Sequence, residues 1–382
     1  MIEPRVIFQI LIPVIVGGIL LVLWYWSGKR KRFKKSLSSP YTESLNFLIS
    51  GDKIKALNKL REVVKSDTDN IDAYLKLGDI YREYGKNQQA LRVHQALLIR
   101  KGLTNFQKLN IRKSLVLDHR NLRGWDNAVN FSKEIIELER NNLWAREQIL
   151  EIYKEMGDWD GAVDAAKAIQ KHEKRRDDET LALYQVQQGL EQRKKGEERE
   201  ARIRFKKALK TFKNCAAAYY FIGVSYLSED RKKEAVEAWR NFVKADPAHA
   251  YLVFDDLEEV LYNLGNFDQS ERIYKEILNL DGDNISAMSA LSDLYERRGD
   301  TQEAIEILRK AVDKDSTSLR ARAYLIQMLL GNKVNKEVKE NLKILVRNTR
   351  QPRKFDCTVC GHHSEKPLWI CPSCLSEKTF LD

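Results

Sequence analysis

Apolar and charged positions recur along most of the chain at the three- and four-residue spacing of amphipathic α-helices. Between residues 37 and 350, few prolines or β-branched runs interrupt this pattern. The clearest unit covers residues 216–249, where two helical stretches are joined by polar residues and closed by Pro247. Gly223 on the first stretch and Ala235 on the second are small enough to let two helices approach closely. The pattern therefore predicts helical hairpins.

The small residue of the second helix recurs through the whole segment. It stands at Ala56, Ala90, Ala128, Ala162, Ala201, Ala235, Ser270, Ala304 and Val338. The intervals are 34, 38, 34, 39, 34, 35, 34 and 34 residues. This period, with a glycine and aromatics at fixed offsets, resembles tetratricopeptide repeats. We predict an all-α tetratricopeptide-repeat α-solenoid of about nine hairpins over residues 37–350, with insertions near residues 103–109 and 171–179.

Repeats of this kind present the first helix of each unit on one face, which typically binds proteins rather than performing chemistry. The aligned units place on this face Asp72, Leu75, Asp79, Arg82, Trp144, Glu147, Glu151, Lys154, Leu183, Val186, Leu190, Arg193, Tyr220, Val224 and Leu227. Their mixed charge favours a protein partner over a polyanion.

Catalytic constellations are missing from the repeat pattern, and we predict that the protein is not an enzyme. His94, His119, His172 and His249 have no serine, cysteine or paired carboxylate at triad-like spacing. His94 stands where the second helix usually carries an aromatic core residue, so packing explains it. Cys215 is predicted to be a small buried hydrophobe.

The N-terminal end carries 21 consecutive uncharged residues, 6–26, enough to cross a hydrocarbon core about 30 Å thick. A basic n-region and a cleavage site are lacking, so residues 1–27 are predicted to be a transmembrane anchor rather than a signal peptide or a buried soluble helix. Residues 28–36 then supply six positive charges toward the net charge of +11. By the positive-inside rule, this basic juxtamembrane segment places the bulk of the chain on the cytoplasmic side.

The C-terminal end carries four of the five cysteines. Cys357 and Cys360 form one Cys-x-x-Cys pair, Cys371 and Cys374 form a second, and ten residues separate them. Two such pairs supply four thiolates to one tetrahedral ion, iron or zinc. A redox dithiol or a disulfide staple is the weaker alternative, since neither requires two like pairs. Residues 351–382 are predicted to be a metal-binding domain in a reducing compartment.

The residues around both pairs resemble the metal-binding knuckles of rubredoxin. Gly361 follows the first pair, where the turn requires a positive φ, but Leu375 stands at the corresponding place after the second. The linker between the pairs is also shorter than in an electron-transfer rubredoxin. We therefore expect a truncated rubredoxin-like or zinc-ribbon domain with a structural or docking role. His362 and His363 are left out because four cysteines already complete a site.

The anchor, basic segment, repeats and cysteine pairs, in this order, resemble the lipopolysaccharide assembly protein B family of Gram-negative bacteria. The resemblance is most specific over residues 355–374. It implies an inner-membrane adaptor that promotes degradation of the lipid A pathway deacetylase LpxC by the membrane ATP-dependent protease FtsH. It also implies that each of the four paired cysteines ligates the metal. Other proteins of lipopolysaccharide synthesis or transport, and a second copy of the chain, stay open as partners.

Two other functions compete with this interpretation. One is a generic membrane-tethered scaffold for envelope or secretion complexes. The other is a nucleic-acid-binding ribbon, suggested by Arg347, Arg350, Arg353 and Lys354 before the first cysteine pair. Nucleic-acid-binding ribbons interleave aromatic and basic residues, and here only Phe355 and Trp369 are available, so this hypothesis is the weaker one.

Overall fold

The computed structural model describes residues 39–330 and 355–380, together with Lys343. The predicted membrane anchor and basic segment, and the repeat position Val338, lie outside these residues. Within the described ranges, no helix is both long enough and apolar enough to cross a membrane.

The chain divides into two compact units, with the boundary between Gln148 and Ile149. The first unit contains α1 (Pro40–Ile49), α2 (Lys53–Ser66), α3 (Ile71–Glu83), α4 (Asn87–Leu98), α5 (Asn105–Asn121) and α6 (Trp125–Leu138). Helix α7 (Leu143–Met156) contains the boundary. The second unit continues with α8 (Trp159–Glu173), α9 (Asp178–Lys194), α10 (Glu198–Thr211), α11 (Ala216–Ser228), α12 (Lys232–Ala245), a 3₁₀ turn (Ala250–Val253), α13 (Phe254–Asn263), α14 (Phe267–Leu280), α15 (Ile285–Arg298), α16 (Thr301–Lys314) and α17 (Leu319–Leu330), then β1 (Phe355–Asp356) and β2 (His363–Ser364).

The helices pair as the period predicts, and the small residues of the second helices are buried. Seven alanines are fully buried and Ser270 is 6% exposed; the alanines are Ala56, Ala90, Ala128, Ala162, Ala201, Ala235 and Ala304. The first helices also need small residues where they cross the second helices. At Gly223, an added Cβ would lie 2.2 Å from the indole nitrogen of Trp239. Within each unit the first helix of one hairpin also contacts the first helix of the next, as α9 contacts α11. The tetratricopeptide-repeat fold is therefore confirmed.

The two predicted insertions are accommodated in different ways. Most of the first, residues 103–109, lies in the opening turns of the 17-residue helix α5, which begins at a Thr104–Gln107 capping box. The second lengthens α8 to Glu173, where Lys174 adopts a left-handed conformation with φ 54°. Asp177 then caps α9 by accepting a hydrogen bond from the backbone N–H of Thr180.

His94 packs in the first unit as predicted, but it also belongs to a buried charged network. Its ring lies where a Cβ on Gly78 would clash, and its Nδ1 lies 2.5 Å from a carboxylate oxygen of Asp118. Both side chains are fully buried. Arg82 donates to the other oxygen of Asp118 at 2.8 Å and also pairs with Asp79. Asp79 and Arg82, which the sequence placed on the partner-binding face, thus form part of a charged network within the repeats.

Candidate metal centre and its docking surface

The two cysteine pairs fold into matching turns in the C-terminal module, which we define as residues 355–380. In the first turn the Gly361 N–H donates to the Cys357 carbonyl at 2.8 Å; in the second the Leu375 N–H donates to the Cys371 carbonyl at 2.9 Å. Gly361 has φ 71° and Leu375 has φ 59°. The second turn therefore keeps the geometry of the first, although a leucine occupies the left-handed position that glycine favours.

The four paired sulfurs converge in the module. Cys357 Sγ lies 3.6 Å from Cys374 Sγ, and Cys360 Sγ lies 3.6 Å from Cys371 Sγ. All four ligand atoms lie within 4.8 Å of one another, and none of these cysteines is in a disulfide. An ion with metal–sulfur bonds of about 2.3 Å holds tetrahedral sulfurs ~3.8 Å apart. The arrangement is consistent with a single four-cysteine metal site.

Hydrogen bonds around the sulfurs favour deprotonated thiols at two of the four positions. Burial raises the pKa of Cys357, but the Thr379 hydroxyl and the backbone N–H groups of Cys360 and Val359 lower it, to about 6. The Ser376 hydroxyl likewise lowers the pKa of Cys374. Thiolate is the form that binds metals, so these contacts suit a ligand role.

The pKa of Cys371 shifts in the opposite direction. Its side chain is fully buried, and burial raises the pKa of its thiol to about 12. Cys360 is exposed, as is Val359 beside it at 63%. Each pair therefore has one buried cysteine, Cys357 or Cys371, whereas Cys360 is exposed and Cys374 is partly buried.

The residues directly before Cys371 are covered by the repeat domain itself. Trp369 is 7% exposed and contacts two aromatic rings of α11, Tyr220 at 5.4 Å and Phe221 at 5.5 Å between ring centroids. Ile370 is buried in the same core, and Leu252 of the 3₁₀ turn packs against the module's own small core. Burying an aromatic side chain of this size stabilises the contact by roughly 2–3 kcal/mol.

A polar contact adds to this apolar one. Glu377 Oε1 accepts hydrogen bonds from Lys154 Nζ of α7 at 3.0 Å and from the Tyr184 hydroxyl of α9 at 2.6 Å. Burial, followed by this carboxylate, raises the pKa of Tyr184. A second ion pair, between Lys378 and Glu179 at 2.5 Å, is more exposed to solvent. The module therefore docks on first helices of the repeats, which the sequence predicted to be a partner-binding face.

Comparisons with known proteins agree with the repeat architecture. The tetratricopeptide repeat family matches residues 186–251 and 259–318. Lipopolysaccharide assembly protein B of Escherichia coli strain K12 is 24% identical over 366 residues, which cover 93% of each chain. The protein of the same name from Haemophilus influenzae is 26% identical over 375 residues, covering 92% of each. The chain is similar to lipopolysaccharide assembly protein B over nearly its whole length.

Among solved structures, the chain is similar to two helical-repeat proteins. It is 15% identical to the tetratricopeptide domain of P58(IPK), covering 82% of this chain and 98% of that one with a TM-score of 0.29. It is 14% identical to a chain of the Cut9–Hcn1 hetero-tetramer, covering 72% and 52% with the same TM-score. At that score neither likeness bears on the function of this protein.

Cys215, His249 and His363 do not join the cysteine cluster. Cys215 is 2% exposed at the start of α11, and burial raises the pKa of its thiol to about 11, as expected of a small core residue. His249 contacts Asp246 at 2.8 Å, and His363 contacts Asp356 at 2.8 Å. The roles of Glu377 and Thr379 were not predicted from the sequence. Trp369 was an available sign of docking, because a module this small cannot bury an indole unaided.

Leu375 provides a prediction about this module. Replacing Leu375 with glycine is expected to stabilise the second turn by about 1 kcal/mol, because a left-handed conformation costs a side-chain-bearing residue roughly that much. Greater protection of the module's amides from hydrogen exchange would measure the gain. Gly361→Ala is the matched control, and it should lose protection, because no atom lies near an added Cβ and only backbone strain is introduced. Lower protection in Leu375→Gly would contradict the strain argument.

Proposed function

We propose that this protein is a non-catalytic, membrane-anchored adaptor that regulates lipopolysaccharide synthesis. The observation that carries the proposal is the match to lipopolysaccharide assembly protein B over 93% of both chains. The four-cysteine cluster supports it, because repeats alone would be shared with many unrelated scaffolds. A role in lipopolysaccharide assembly is the part that the relatives support directly.

The proposed location is the cytoplasmic side of the bacterial inner membrane. It is supported by the uncharged residues 6–26 and by the positive charges of residues 28–36 that follow them. Thiols kept reduced in the cytoplasm agree with this orientation, since none of the described cysteines is in a disulfide. An anchor of this kind keeps the repeats close to membrane-bound partners.

The proposed mechanism is delivery of the deacetylase LpxC to the membrane protease FtsH. A repeat domain offers a wide surface for recognising one protein, and the anchor holds that protein beside a protease in the same membrane. Proximity of this kind raises the effective concentration of substrate at the protease without any chemistry by the adaptor.

The proposed cofactor is one iron or zinc ion held by Cys357, Cys360, Cys371 and Cys374. Both metals accept four thiolates in tetrahedral geometry. When bound, the ion supplies folding energy that the module's few buried side chains cannot. Because Trp369 and Ile370, directly before Cys371, are buried against the repeats, we assign the site a structural and docking role rather than electron transfer.

The half-life of LpxC tests the adaptor proposal. Deleting the gene should lengthen that half-life several-fold in a pulse-chase experiment, and restoring the wild-type gene should return it to normal. In a strain with inactive FtsH, deletion should have no further effect. An unchanged half-life after deletion would refute the proposal. Crosslinked partners unrelated to proteolysis would then favour the generic scaffold.

A further inference from the structure

The segment Ser376–Thr379 connects the sulfur cluster to the repeats. Its two hydroxyl side chains contact sulfurs: Thr379 Oγ1 lies 3.0 Å from Cys357 Sγ, and Ser376 Oγ lies 3.4 Å from Cys374 Sγ. Its two charged side chains, Glu377 and Lys378, instead contact α7 and α9. Four consecutive residues therefore serve both the cysteines and the docking surface.

The segment is also fixed to the second cysteine pair through its backbone. The Cys371 N–H donates to the Ser376 carbonyl at 2.9 Å, and the Lys378 N–H donates to the Trp369 carbonyl at 2.7 Å. The Thr358 N–H beside the first pair donates to the Thr379 carbonyl at 3.0 Å. A shift of this segment would therefore disturb both pairs.

The contact with the repeats is strong because it is buried. The Lys154 side chain is only 6% exposed and lies between Glu377 and Glu151, at 3.0 and 3.1 Å, above the Tyr184 ring. Separating the module from α7 would take the Glu377 carboxylate away from this buried cation, so the contact resists separation. The Lys378–Glu179 pair has side-chain exposures of 44% and 46%, where solvent screens the attraction.

We propose that metal binding and docking are a single coupled equilibrium, with Lys154 of α7 and Glu377 as positioning residues for the four-cysteine site. The docked repeats hold residues 376–379 in place, and this segment holds Thr379 and Ser376 against the sulfurs. A metal-bound thiolate carries no proton, so each hydroxyl donates to it. By reciprocity, the metal stabilises docking as much as docking stabilises the metal. The inference rests on the proposed metal site.

Competition for zinc between the purified full-length protein and a chromophoric chelator tests the coupling. Lys154→Met and Glu377→Gln should each lower zinc affinity about tenfold, the usual effect of losing a group that orients metal ligands. The double variant should be little weaker than either single variant, because both remove the same contact. Thr379→Val should weaken binding from the metal side of the segment.

The matched controls remove exposed ion pairs nearby. Lys378→Met lies in the same segment, and Lys167→Met removes an exposed pair with Asp164 on α8. Both should bind zinc within twofold of the wild type. In the reverse direction, stripping zinc from the wild type should reduce hydrogen-exchange protection in α11, where Tyr220 and Phe221 meet Trp369.

Each outcome decides the inference. Lower zinc affinity in both Lys154→Met and Glu377→Gln, with the exposed-pair controls unchanged, supports coupling. Affinities within twofold of the wild type in both would overturn it while leaving the metal site intact. If Lys154→Met loses helical content by circular dichroism, Glu377→Gln decides alone, because its substitution lies in the module. A wild-type protein that binds no zinc or iron would overturn the metal site and the coupling together, independently of the LpxC half-life.

Discussion

Replacing Cys371 with serine is expected to remove the metal ion and unfold the C-terminal module. The fully buried Cys371 thiol lies 3.6 Å from Cys360 and anchors the second turn through its backbone. Structural four-ligand sites contribute about 10–16 kcal/mol to folding of small domains, and serine is a poor ligand for such ions. Elemental analysis should show about one zinc or iron per wild-type chain and almost none in the variant. The module's amides should also lose hydrogen-exchange protection.

Cys215→Ser is the control for that experiment. Cys215 is equally buried but lies at the start of α11, outside the sulfur cluster. Its replacement should leave the metal content unchanged. A Cys371→Ser variant that retains a full complement of metal would show that the four cysteines are not the ligands.

The second large effect is expected in the first unit. Replacing Asp118 with asparagine removes the negative charge that Arg82 and His94 share, at 2.8 and 2.5 Å, while keeping the side chain's shape. Burial lowers the pKa of Arg82, but the hydrogen bond to Asp118 and the attraction to Asp79 outweigh this effect. The pKa is therefore raised on balance, and the guanidinium stays charged. Arg82 keeps its ion pair with Asp79, so the expected cost is that of losing one buried charged hydrogen-bond partner, about 1–3 kcal/mol. Chemical denaturation monitored by circular dichroism should show that loss.

The comparison variant is Asp69→Asn. Asp69 pairs with Arg100 at 3.6 Å, but its side chain is 95% exposed, so its loss should scarcely change stability. Equal stability of the two variants would contradict the assignment of Asp118 as the counter-charge of a buried network. A selective loss for Asp118→Asn would show that a charged network supports the core of this unit.

Features that depend on neighbouring positions were predictable from the sequence. The 34-residue period required a small residue wherever two helices cross, and the described members of that series are buried. Likewise, Cys-x-x-Cys spacing brings two sulfurs together within one turn, and Gly361 occupies the predicted left-handed position. Pattern and geometry agree here because both are set by a few consecutive residues.

Other features depend on residues far apart in sequence. Arg82 and Asp79 look like solvated helix-face residues until Asp118 and His94 are brought beside them. Leu375 occupies a left-handed position that glycine favours, yet hydrogen bonds hold its turn in the same geometry as the first. Neither feature can be predicted from a local sequence pattern, because each depends on which groups lie around the residue in the folded chain.

By itself, the sequence determined the repeat architecture and the pairing of the cysteines, since helical periodicity and chelate spacing are local properties. The tertiary structure alone decided where the module lies. Trp369 needed the aromatic face of α11, and Glu377 needed Lys154, 223 residues away in sequence. Docking is decided by matching buried apolar area and buried charge between distant segments, and that match exists only once both have folded.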